Sequence, residues 1–88
     1  MIPTVFQRLA CYARDEENKL RHDYGYYSPL IELEVVPDGL CVKSVAGDDS
    51  KVFQQCMTVA WFDMTEQSCM TAIDDVSDGM RAAMSKER

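Results

Sequence analysis

Ile31, Leu33 and Val35 alternate with Glu32 and Glu34, and this two-residue period is the clearest local pattern in the chain. Successive side chains of a strand point to opposite faces, so 30–36 reads as a strand with one covered face and one wet face. Pro37-Asp38-Gly39 follows. A fixed φ, a side chain able to cap its own backbone and a residue without Cβ together predict a tight turn. The chain then doubles back as a second strand over 40–45, with Leu40 and Val42 on one side and Cys41, Lys43 and Val45 on the other. A loop over 46–50 ends it. The next stretch, 52–62, places Phe53, Met57, Val59 and Trp61 on one face and Val52, Cys56, Ala60 and Phe62 on the other. That span exceeds the usual strand of about five or six residues, which points to a bulge or a shorter strand.

Helical patterns flank the three strands. Thr4 and Gln7 have the spacing of a capping box, with Pro3 just outside it, and Val5, Leu9, Tyr12, Ala13 and Leu20 recur near one stripe. A helix is predicted over 5–21, ending in Asp23-Tyr24-Gly25-Tyr26-Tyr27-Ser28-Pro29. At the other end Asp63 and Glu66 offer a second box, and Cys69, Ile73, Val76, Met80 and Met84 form the strongest helical stripe in the chain. This predicts a helix over 65–84. Gly79 interrupts it at a cost of roughly 1 kcal/mol relative to alanine, marking a bend or an early end near Asp78.

The expected fold is therefore α+β, in the order α-β-β-β-α, with a three-stranded antiparallel sheet and both helices packed on one face. One small domain spanning 1–88 accommodates it. Trp61 and Phe62 are expected to pack in the core and anchor the start of the second helix. The opposite sheet face, with Val36, Cys56, Ala60 and Phe62, becomes a candidate interface.

With 47% hydrophobic and 27% charged residues, the composition is that of an ordinary folded chain. A core from 88 residues is small, so covering an apolar face with a second copy would add stability, and a homodimer is one expectation. The formal charge is −6. That sign repels a phosphate backbone, so direct nucleic-acid binding is not expected; a protein with a basic docking surface is. Cys11, Cys41, Cys56 and Cys69 lack zinc-type spacing, and the opening residues lack a basic start followed by an apolar run. Reduced thiols in the cytoplasm are expected, with no metal, no cofactor and no membrane segment.

No nucleophile elbow, phosphate-cradling glycine loop or dinucleotide fingerprint accompanies the one histidine, His22, which reads as a solvated residue at a helix end. Asp48-Asp49 and the group Asp74, Asp75 and Asp78 are the densest carboxylates, while Glu32 and Glu34 lie on the polar phase of a strand. Tyr24, Tyr26 and Tyr27 are the most concentrated side-chain type, combining apolar rings with hydroxyls. These observations lead to a non-enzymatic protein-interaction module, an inhibitor, adaptor or regulatory subunit. Its candidate contact residues are Tyr24, Tyr26, Tyr27, Asp74, Asp75 and Asp78. Two other readings are an acidic nucleic-acid mimic, as in a viral or mobile-element counter-defence protein, and a small enzyme of unknown class.

Overall fold

A computed structural model describes residues 4–86; Pro3, expected just ahead of the first helix, lies outside them. Helix α1 (Val5–Tyr24) leads through a 3₁₀ turn (Gly25–Tyr27) into strands β1 (Leu30–Val36), β2 (Gly39–Gly47) and β3 (Val52–Ala60). A second 3₁₀ turn (Trp61–Asp63) precedes helix α2 (Glu66–Ser85). The sheet is an antiparallel meander in the order β1-β2-β3. Its register sets Leu33 against Val42 and Val42 against Met57. The inward phase of that register carries Ile31, Leu40, Val42, Ala46 and Val59, all buried under the helices. The expected α+β architecture is the one observed.

Both helices begin as their side chains direct. Thr4 accepts from the Gln7 N–H at 3.1 Å while the Gln7 side chain accepts from the Thr4 N–H at 2.8 Å, which satisfies two backbone donors at the helix start. For α2 the reciprocal pair is Thr65 and Ser68, at 2.8 and 2.9 Å, rather than Asp63 and Glu66. The displacement has a physical origin in the hairpin tip. The Trp61 N–H donates to Asp38 O at 3.3 Å and its indole Nε1–H donates to Pro37 O at 2.8 Å. These bonds turn the chain out of the sheet after Ala60, so β3 ends there and not at Phe62.

Helix α1 continues three residues beyond the expected Arg21. The Arg21 Nε–H donates to Pro29 O at 3.0 Å and Ser28 adopts a left-handed conformation with φ 50°, which reverses the chain over a short distance. Helix α2 does not end near Asp78 but runs through Gly79 to Ser85. A Cβ at Gly79 would lie 2.9 Å from Gln55 Oε1, so glycine there lets the helix close onto the side chain of β3. The stripe Cys69, Ile73, Val76, Met80 and Met84 is buried throughout.

Matching positions on the helices pair in ascending order: Arg8 with Glu66, Tyr12 with Asp74, Glu16 with Ser77 and Tyr24 with Ser85. The helices are therefore parallel neighbours, and their first turns share one end of the molecule. Glu16 was indistinguishable from a surface charge in the sequence, yet it is only 7% exposed. Its carboxylate accepts from Lys19 at 3.3 Å and from the Ser77 hydroxyl at 3.4 Å, with the Arg81 guanidinium 3.8 Å away. Burial of a carboxylate is tolerable with such compensation.

Candidate interaction surface

An apolar groove of about 210 Å³ opens at the end where both helices start. Val5, Phe6 and Leu9 of α1 form one wall, Val35 and Leu40 on either side of the hairpin turn form the floor, and Trp61, Met64 and Cys69 complete it. The rim is unusually exposed for such side chains: Phe6 is 49%, Trp61 50% and Val35 62% accessible, and the adjoining Phe62 89%. This corrects the expectation that Trp61 and Phe62 serve the core. Neighbouring residues cannot both follow the inward phase, and the turn at Trp61–Asp63 carries the two rings outward. Asp38 and Asp63, both exposed, stand beside this surface.

A second groove, of about 330 Å³, runs between α1 and β1. Phe6, Ala13 and Arg14 of α1 and Ile31 and Leu33 of β1 contribute to its lining. It borders the free edge of the sheet, but the Glu17 carboxylate already accepts from the Ile31 N–H at 2.8 Å. A charge seated on an edge donor obstructs pairing with another strand.

The tyrosine group lies at the opposite end of the helices. Tyr27 is buried and meets Phe53 edge-on, with ring centroids 4.9 Å apart. Tyr26 is exposed and stacks at a tilt on Tyr27, with centroids at 4.4 Å. The Tyr24 hydroxyl shares a 2.5 Å hydrogen bond with Ser85. The structure thus brings the three tyrosines together but gives them different surroundings. His22 is exposed in the last turn of α1.

The aspartates also diverge. Asp75 is exposed, and Asp78 is exposed with Arg81 3.6 Å away. Asp74 instead accepts from the Tyr12 hydroxyl at 2.5 Å, bridging the two helices. That bond, with burial and the nearby carboxylates of Asp74, Glu16 and Asp78, pushes the Tyr12 pKa up to about 12. Because the folded value lies above the ordinary 10.0, the stability Tyr12 contributes is present below pH 10 and is lost as pH rises toward 12. Tyr12→Phe is expected to cost about 1 kcal/mol at neutral pH and to remove this part of the alkaline loss. Denaturant unfolding of both proteins across that window checks it. Asp75→Asn is expected to change stability by less than about 0.5 kcal/mol.

Among the described residues no group of three or more His, Cys, Asp and Glu side chains is placed to hold a metal, and no helix is long and apolar enough to cross a membrane. Comparison of the chain with protein families, curated proteins and solved structures finds no match.

Proposed function

We propose that this protein is a non-enzymatic interaction module that acts by stoichiometric binding of another protein. The observation that supports this most is the apolar groove with Phe6, Val35 and Trp61 displayed around it, and the exposed ring of Phe62 next to Trp61 in the chain. Large contiguous apolar patches are uncommon on isolated soluble domains, and exposed aromatic rings supply much of the binding energy where they enter a partner's pocket. The rings sit beside Asp38 and Asp63 on a chain of net charge −6. The complementary partner presents an apolar side chain flanked by lysine or arginine, so that contact and long-range attraction act together. Such a partner fits an inhibitor, adaptor or regulatory subunit.

Phe62 offers a clean test because it is almost fully exposed. Phe62→Ser is expected to leave the unfolding midpoint within about 0.5 kcal/mol of wild type and to weaken partner binding by about 2 kcal/mol, roughly thirtyfold. The partner is isolated on immobilised wild-type protein and its affinity for both forms measured by calorimetry, with Asp75→Asn as a distant control. Equal affinity of wild type and Phe62→Ser would remove the exposed Phe62 ring from the interface. Sedimentation of the chain alone distinguishes self-association through the same surface.

A further inference from the structure

Cys41 and Cys56 meet on the sheet face that the helices leave open. Leu40 and Val42 flank Cys41 on β2 and are buried in the core, so Cys41 projects to the other face. In the register of β2 and β3, Cys41 lies opposite Thr58 and Cys56 opposite Lys43. The two cysteines are therefore diagonal neighbours across the pair of strands, within reach of one another. Their Sγ atoms are 3.7 Å apart. A disulfide requires about 2.05 Å, so the sulfurs must approach by roughly 1.7 Å, the difference between those two lengths.

We propose that Cys41 and Cys56 form a dithiol site that reacts with low-molecular-weight disulfides of the glutathione class and closes to an intrachain disulfide. Cys56 is the exposed member and Cys41 is half-buried, which makes Cys56 the attacking sulfur and Cys41 the resolving one. Burial first, and then the hydrogen bond with Cys56, hold the Cys41 thiol above its ordinary pKa. In the first step the Cys56 thiol gives its proton to water and the thiolate attacks one sulfur of RSSR; the S–S bond breaks, and RS⁻ leaves and takes a proton from water. In the second, the Cys41 thiol loses its proton to water and its sulfur attacks Cys56 Sγ, releasing the second RS⁻, which is protonated in turn. Two protein thiols have then lost two electrons, and one RSSR has become two RSH.

The remaining cysteines supply internal comparisons. Cys11 is exposed on α1 and Cys69 is a buried residue of α2. Cys11 is expected to stop at a mixed disulfide, whereas burial shields Cys69, whose thiol is also pushed up in pKa by desolvation.

The test exposes the reduced, folded chain to glutathione disulfide in the presence of about 0.1 mM reduced glutathione, followed by acid quench, alkylation and peptide mass analysis. Thiols held together act at an effective concentration on the order of 1 mM or more. The Cys41–Cys56 linked peptide, two hydrogens lighter than its reduced form, is therefore expected to outnumber the Cys56 mixed disulfide by on the order of tenfold. In Cys41→Ser the reaction is expected to halt with one glutathione on Cys56. A wild-type product dominated by the Cys56 mixed disulfide overturns the proposal. So does survival of both free thiols under conditions that modify Cys11.

Discussion

Gly39→Ala is expected to destabilise the fold by about 3 kcal/mol or more, a large fraction of what holds a domain of this size together. Gly39 is where β2 begins, paired on one side with Val36 and on the other with Ala60. A Cβ there would fall 1.9 Å from the Val59 carbonyl oxygen and 2.8 Å from its carbon. Those are backbone atoms of the neighbouring strand, so no side-chain rotation relieves the overlap and the ladder itself must shift. The same displacement would disturb the bonds from Trp61 to Pro37 and Asp38, which fix the end of β3. Gly25→Ala provides the contrast. Nothing lies within 4 Å of a Cβ at Gly25 and its backbone is already helical, with φ −56° and ψ −28°. Alanine at that position is expected to stabilise by about 0.4–1 kcal/mol, because it narrows the unfolded ensemble without native strain. Urea unfolding of the three proteins measures both effects. A Gly39→Ala midpoint equal to that of wild type would mean that the tip of the hairpin is packed differently.

Ile73→Ala is expected to lower stability by about 3 kcal/mol, within the range for truncating a fully buried aliphatic residue, and to lower Tm by about 15 °C. Ile73 has no accessible surface and sits mid-helix in the stripe between Cys69 and Val76. Alanine is the better helix former, so the substitution isolates lost packing and the cavity left behind from any propensity effect. Leu20, Val42 and Met80 of the same core are equally inaccessible, and a close-packed interior relaxes only partly into such a gap. Phe62→Ala removes more apolar atoms but from an 89% exposed position, and is expected to change Tm by no more than about 4 °C. Calorimetric melting of the two variants ranks them. The reverse order would place Phe62, not Ile73, inside the core.

These contrasts also define what was legible from the chain. Alternation over Ile31, Leu33 and Val35 and the stripe from Cys69 to Met84 were readable because each pattern has one covered face. Trp61 and Phe62 prolonged an apparent strand pattern, and only the long-range bonds to Pro37 and Asp38 turn them outward. The groove was correspondingly hidden, although Phe6 already stood off the α1 stripe and adjacent Trp61 and Phe62 could not share one face. Glu16 resembled any solvated helix charge, since Ser77 and Arg81 reach it from the other end of the chain. Gly79 looked like an interruption because its reason, the side chain of Gln55, belongs to a different element. The thiol pair was equally obscure. Its existence depends on the register of β2 against β3, which residue spacing alone leaves free to slip by one position and invert the faces.

The parallel arrangement of α1 and α2 has a practical geometric consequence for any chimera made with this fold. Each helix has 20 residues, hence a length of about 30 Å, and the two point the same way. A fusion attached ahead of Thr4 emerges beside Phe6 and Trp61, where even a small appended domain shadows the groove. One attached after Lys86 emerges about 30 Å away, next to Tyr24, and leaves the groove open. Linking Lys86 back to Thr4 in a circular permutant would need an extended bridge of about nine residues, counted between those two positions, to run back along the helices.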